Sequence, residues 1–142
     1  MRTLLDVNLL VALLDANHVH HERAHAWWTA HRVGGWASCP LTQNGCLRVL
    51  SQPRYANAQP LPVVYDLLAR QLATGDHAFW TDDRSLLDDE VFDRRRILGP
   101  NQLTDVYLLA LAVSRGGRLA TLDGSVPLGA VRGAQSKHLV AV

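Results

Sequence analysis

Residues 3–15 read TLLDVNLLVALLD, and the rest of the fold follows from that stretch. Arg2 to Leu5 reads as the first strand, and its apolar run, Thr3 to Leu5, has no polar alternation, the pattern of a strand buried on both faces. It ends on a carboxylate, Asp6. From Val7 or Asn8 to about Asp15 an apolar segment long enough for a buried helix follows. A buried strand that turns straight into a helix puts its terminal acid at the carboxyl edge of a sheet. Open α/β sheets bind ligands at that edge.

Outward from this unit, strands and helices alternate. A helix is expected over about His21 to Arg32, a strand over Trp36 to Cys39, and a helix from Pro40 onward with Thr42 as a candidate cap. A loop spans Pro53 to Pro62, and an amphipathic helix spans Leu61 to Ala73 with Val64, Leu67, Leu68 and Leu72 on one face. His77 to Trp80 reads as the third strand. An acid-rich loop follows, Asp82 to Asp93, with one helical turn expected at Ser85 to Leu87. Thr104 is placed to cap the next helix, which runs to Gly116-Gly117. Arg118 to Leu122 forms a fourth strand and His138 to Val142 a last one. Strands separated by helices predict a parallel sheet of four to five strands covered on both faces. Residues 1–142 make one domain, with no internal repeat and no linker.

Composition excludes several classes. No apolar run approaches the roughly 20 residues that span a bilayer, and the first residues lack a small-residue cleavage site, so a cytoplasmic location is expected. Two cysteines, Cys39 and Cys46, make neither a disulfide framework nor a zinc knuckle, and both are expected to be buried. The net charge of +1 gives no strong preference for a polyanion. Only Lys137 among the 14 basic residues is a lysine, a bias that a GC-rich genome produces without functional cause.

The chemistry lies in the acids. Asp6 follows the first strand, Asp123 follows the fourth, and Asp105 sits in the first turn of the helix leading into the fourth, where the helix dipole favours a carboxylate. In a doubly wound sheet the first and fourth strands are neighbours where the winding reverses, so all three acids are expected in one crevice. Each also has a local role available: Asp6 as a helix cap, Asp123 in a turn with Gly124, Asp105 as an ordinary first-turn acid. Crowded carboxylates repel one another unless a cation neutralises them. All-oxygen ligands select Mg²⁺ or Mn²⁺, and such a site suits in-line attack of water on a phosphodiester. Asn8 and Thr121, each two residues from an acid, are candidates to hydrogen-bond the carboxylates.

Four motifs in order, LLDVNLLVALLD (4–15), LTQNGCLRVLS (41–51), LTDVYLLALAV (103–113) and LATLDGSV (119–126), resemble PIN-domain proteins, more narrowly the VapC toxins of toxin–antitoxin systems. The resemblance spans nearly the whole chain. It implies a three-layer α/β/α PIN-like fold and an Mg²⁺- or Mn²⁺-dependent endoribonuclease that cuts selected cellular RNA and inhibits translation. It also implies a VapB-type antitoxin whose tail enters the acidic crevice, and a toxin homodimer that forms a heterotetramer or larger assembly with it. The family's acids carry over to Asp6, Asp105 and Asp123 as catalytic metal ligands. The remaining family acid, usually a glutamate, falls on Gln43. An amide can ligate or orient a water but cannot act as a base, so Asp82 or Asp83 is a candidate to compensate. A catalytically inactive, binding-only module is the alternative reading.

Other patterns compete. His21-Glu22-Arg23-Ala24-His25 matches the HExxH zinc-protease pattern, but no third ligand is in view, and His18, His20 and His31 suggest a polar histidine-rich face. Arg94, Arg95 and Arg96 are candidate phosphate contacts, or a solvated run balanced by Asp88, Asp89, Glu90 and Asp93. Arg48 and Arg54 are candidates to flank the crevice and hold RNA. Trp27, Trp28, Trp36 and Trp80 are expected in the core or a dimer contact rather than under bases. A phosphoacceptor receiver domain would want paired acids after the first strand and a lysine after the last, and Lys137 precedes that strand.

Overall fold

The computed structural model describes residues 1–142. Its elements, in chain order, are β1 (Thr3–Leu5), α1 (Val7–Leu14), α2 (His21–His31), β2 (Trp36–Ser38), α3 (Pro40–Ser51), α4 (Leu61–Leu72), β3 (His77–Phe79), α5 (Leu103–Ser114), β4 (Arg118–Thr121) and β5 (Leu139–Ala141). The five strands pair in the order β3-β2-β1-β4-β5, and every pairing is parallel. β1 and β4 are therefore neighbours, in register from Thr3 against Arg118 to Leu5 against Ala120.

Alternation along the strands divides the core in two. Leu4, Ala37 and Leu119 point to one face, where they meet the buried residues Val106 to Ala112 of α5 together with Phe92, Ala130 and Val131. Leu5, Trp36 and Ala120 point to the other, against α1, α2, α3 and α4 through Leu9, Trp28, Cys46 and Leu68. Helices on both faces of a parallel sheet make the three-layer α/β/α PIN-like fold that the sequence predicts. Both cysteines are buried and unpaired, and Trp28, Trp36 and Trp80 belong to the core.

Two glycines answer local demands of the backbone, one conformational and one steric. Gly116 ends α5 at φ +65°, the left-handed position at which helices commonly stop. At Gly45 of α3, an added Cβ would stand 2.7 Å from a methyl of Val7 on α1, so these helices touch backbone to side chain beside the carboxyl edge.

The structure corrects several local expectations. Thr104 does not cap α5; the helix begins at Leu103 after Gln102 without a side-chain cap, and Thr104 lies inside its first turn. Thr42 lies inside α3, with Cys39 at the cap; its hydroxyl reaches back to accept from the Cys39 amide at 2.9 Å. Ser85 to Leu87 is an isolated turn closed by the Asp88 amide on the Ser85 carbonyl at 3.0 Å, not a helical one. Short 3₁₀ turns occupy Arg94–Arg96, Pro100–Gln102, Leu128–Ala130 and Ser136–His138, so β5 starts at Leu139 rather than His138. None carries the apolar periodicity by which a helix is read from sequence.

Candidate active site

The sheet's carboxyl edge opens into a crevice of about 890 Å³ between α1, α3 and the start of α5. Asp6 and Asp105 both line it. Asp6 is almost fully buried and serves two purposes. Its Oδ1 accepts from the Val7 amide at 2.7 Å, capping α1, and its Oδ2 accepts from the Thr121 hydroxyl at 2.7 Å. Burial raises its pKa and the Asp123 charge adds to that, while the bonds from Thr121 and Val7 pull the other way. The Thr121 hydroxyl accepts in turn from the Asn8 amide at 3.1 Å, and the Asn8 carbonyl accepts from the Leu122 amide at 3.1 Å. Thr121 thus holds Asp6 directly, and Asn8 holds Thr121, tying α1 to the end of β4.

Asp105 is the least compensated acid. Burial, then the charges of Asp6 and Asp123, push its carboxyl up to about 6, and no hydrogen bond offsets them. Asp123 sits at the margin, outside the crevice lining. Its Oδ1 accepts from the Ser125 hydroxyl at 2.7 Å and from the Ser125 amide at 2.9 Å, and these bonds hold its pKa below the usual carboxylate range. The three acids are close enough to perturb one another, yet no three acidic, histidine or cysteine side chains are grouped tightly enough to form a ready metal cage. What fits a cation is the donor set: a desolvated carboxylate without a donor, Asp105, facing the same crevice as a buried one, Asp6. A hard divalent ion would supply the missing compensation.

Gln43 is not in this crevice. Its amide donates to the Ser38 hydroxyl at 2.9 Å, and it lines an adjoining groove between α3 and α4 with Leu47, Ser51, Leu61 and Tyr65, which meets the crevice along Pro40, Asn44 and Arg48. The residue that α3 turns into the crevice is Asn44. Of the two acids considered as substitutes, Asp82 lines the crevice and accepts from the Leu41 amide at 3.0 Å, at the N-terminus of α3. Asp83 points elsewhere, pairing with Arg115 at 3.0 Å and Arg84 at 3.3 Å.

Among the arginines, Arg48 lines the crevice and bonds Asn44 at 3.2 Å. Arg54 is exposed in the loop after α3. Arg94 pairs with Asp89 at 2.7 Å, and Arg95 and Arg96 pair with Asp93 at 3.3 and 3.4 Å, so these three balance acids of their own segment. Sequence reasoning missed His18 and Tyr55, which also line the crevice, because both sit in irregular segments without periodicity. Tyr55 is fixed by its hydroxyl, which donates to Asp15 at the end of α1. The HExxH pair does not converge on a metal: His21 Nδ1 bonds the Ala12 carbonyl oxygen at 2.8 Å, and the rings of His21 and His25 lie 5.8 Å apart with no third ligand.

Comparison with known proteins agrees with this architecture. The PIN domain family model matches residues 3–127. Over all 142 residues the chain is 54% identical to Ribonuclease VapC44 of Mycobacterium tuberculosis, covering the whole of both chains. It is 45% identical to Ribonuclease VapC38 of the same species over 124 residues, 87% of this chain and 86% of that one. Among solved structures, M. tuberculosis VapC20, described as a Sarcin-Ricin loop cleaving toxin, superposes with a TM-score of 0.63 at 12% identity, covering 87% of this chain and 92% of that one. PAE2754 of Pyrobaculum aerophilum does so at 0.59 and 22% identity, covering 99% and 84%.

Proposed function

Because this chain belongs to the PIN-domain family and to its VapC ribonuclease branch, we propose that it is the toxin of a toxin–antitoxin pair, an endoribonuclease that cuts cellular RNA with Mg²⁺ or Mn²⁺. The observation that carries the metal dependence is Asp105: a carboxyl raised to about 6 beside Asp6, with no hydrogen bond to compensate it. Asp6 and Asp105 would hold the ion, with Asp123 approaching from the margin once it leaves Ser125. Asp82, in the crevice lining, would supply the carboxylate that the family resemblance leads one to expect at the position of Gln43. When bound, the ion activates water and offsets charge on the leaving oxygen. Thr121 and Asn8 fix the Asp6 carboxylate so that it need not reorganise as charge develops. Arg48, on the crevice wall, is placed to hold a phosphate. Arg54 is free to follow the strand outward.

The antitoxin partner follows from the VapC membership, and the cytoplasmic location from RNA as substrate; no helix is long and apolar enough to cross a membrane. Exposed Leu61 and Tyr65, one turn apart on α4, supply an apolar patch for a homodimer or an assembly with antitoxin. The binding-only reading loses support because Asp82 keeps a third carboxylate in the crevice, and the zinc-protease reading because its histidines lack a third ligand.

The test is cleavage of total and structured RNA by purified protein with Mg²⁺ or Mn²⁺, with EDTA, and with Asp6→Asn. Cleavage that survives Asp6→Asn, or that requires zinc, refutes the assignment. Growth arrest on expression, relieved by the neighbouring antitoxin gene, separates a toxin from a general nuclease.

A further inference from the structure

The crevice has two chemically different halves. One holds the carboxylates. The other is lined by Val11, Val49, His18 and Tyr55, and Asn44 and Arg48 belong to the same lining. Val11 lies five residues beyond Asp6 along the chain, about 7 Å at the rise of an α-helix. The second half thus begins one side-chain length or two from the acids, within the same cavity.

Its polar groups are constrained by bonds they already make. The Tyr55 hydroxyl is committed to Asp15, whose Oδ2 also accepts from the Asn57 amide at 2.9 Å. Tyr55 therefore presents a fixed ring rather than a hydroxyl. His18 Nδ1 accepts from the His20 amide at 3.0 Å, so in the neutral ring the proton sits on Nε2. Burial and the neighbouring His20 lower the His18 pKa and favour that neutral form. The Asn44 side-chain oxygen accepts from Arg48, leaving its NH₂ as the available group. An aromatic face, two apolar side chains and three donors describe a receptor for a planar heterocycle bearing carbonyl oxygens.

Resting on the ribonuclease reading above, we propose that this half is a nucleobase subsite. The base of the nucleotide next to the scissile phosphate stacks on Tyr55, and His18, Asn44 and Arg48 read its edge. Single-stranded RNA bases are recognised through stacking on aromatic rings and hydrogen bonds to their exposed edges. At purine C6 and pyrimidine C4, guanine and uracil present a carbonyl oxygen where adenine and cytosine present an exocyclic amine, which would meet donors. The subsite therefore selects keto bases over amino bases. Asp15 is a positioning residue, acting through Tyr55.

The experiment uses the full chain in EDTA, so that cleavage does not intervene. Guanosine, uridine, adenosine and cytidine are titrated one at a time, with ribose as the base-free control, while the Tyr55 and His18 ring resonances are followed by NMR. The expected result is that guanosine and uridine shift both rings and bind about tenfold more tightly than adenosine and cytidine, the discrimination one well-made base contact supplies. Ribose leaves the rings unmoved. Tyr55→Phe, which keeps the ring but removes its bond to Asp15, weakens binding less than Tyr55→Leu does, and His18→Ala weakens it as well. Equal affinity for all four nucleosides, or unmoved rings, overturns the proposal. So does a set of variants that leaves nucleoside binding and RNA cleavage intact but loses antitoxin, which would make this half a protein groove. Nucleoside binding is read without any cleavage, so its failure is distinct from failure of wild-type protein to cut RNA with metal.

Discussion

Replacing Asp105 with asparagine should stabilise the metal-free protein while abolishing cleavage. Asp105 is raised from 3.8 to about 6 in the folded state. One pKa unit corresponds to about 1.4 kcal/mol, so the shift amounts to roughly 3 kcal/mol at most. The side chain is only partly buried, and solvent screening reduces that to about 1 kcal/mol. The sign follows from linkage. A carboxyl whose folded pKa exceeds its unfolded value favours folding while protonated, and that contribution is lost as pH rises through the folded pKa. At pH 7.5 the ionised group therefore carries the full penalty; by pH 5 about half remains, and by pH 4 little. In EDTA at pH 7.5, Asp105→Asn should raise Tm by about 3 °C, the shift expected from 1 kcal/mol in a domain of this size, and the gain should shrink toward pH 4. Adding Mg²⁺ should reverse the order. Wild type gains about 1.4 kcal/mol at ten times the dissociation constant, while the variant gains less. Calorimetry at the two pH values, with and without Mg²⁺, reads all of this. An unchanged or lowered Tm at pH 7.5, or a gain that does not depend on pH, would refute the view that Asp105 is an uncompensated acid awaiting a cation.

Further substitutions probe the scaffold and the basic side chains. Thr121→Val leaves Asp6 Oδ2 without its donor and should cost about 1–3 kcal/mol in urea unfolding, with reduced cleavage; Thr121→Ser, which keeps the hydroxyl, should restore most of both. Gly45→Ala drives a Cβ to within 2.7 Å of the Val7 methyl; overpacking of about 1–3 kcal/mol should outweigh the roughly 1 kcal/mol gained in helix propensity, and chemical denaturation gives the net sign. Arg48→Ala should weaken RNA binding and flatten its salt dependence by about one phosphate contact, whereas the triple Arg94, Arg95 and Arg96 to alanine variant should leave the salt slope nearly unchanged, because those guanidinia already face Asp89 and Asp93.

The fold was legible because its central strands are simple. TLL and LAT are uninterrupted apolar runs between helices, which forces them into the middle of a parallel sheet and puts Asp6 and Asp123 at the same edge. Thr121 could be read as a partner of Asp6 because strand neighbours in register bring their ends together. The 3₁₀ turns and the placements of His18 and Tyr55 could not be read, since none is set by periodicity. Each depends on contacts made only after folding, such as the bond from Tyr55 to Asp15 across 40 residues of sequence.

Gln43 shows where alignment to a family motif and physical reading part. The α3 residues lining the crevice are Pro40, Leu41, Asn44, Gly45, Arg48 and Val49, and from Leu41 their spacing of i, i+3, i+4, i+7 and i+8 marks one helical face. Gln43 falls off that stripe and joins Leu47 and Ser51 on the next one. The stripe is oriented by Gly45, the position on α3 where Val7 of α1 leaves no room for a Cβ. A glycine in mid-helix costs about 1 kcal/mol against alanine, so its presence was itself a signal that this face of α3 meets another element closely. With Gly45 as the contact point, helical spacing alone turns Asn44 and Arg48 toward Asp6. Asp6 makes the complementary point: its role as a helix cap and its role in the crevice looked like rivals in the sequence, yet one carboxylate fills both, with Oδ1 on Val7 and Oδ2 on Thr121. The cap is what fixes the acid in place.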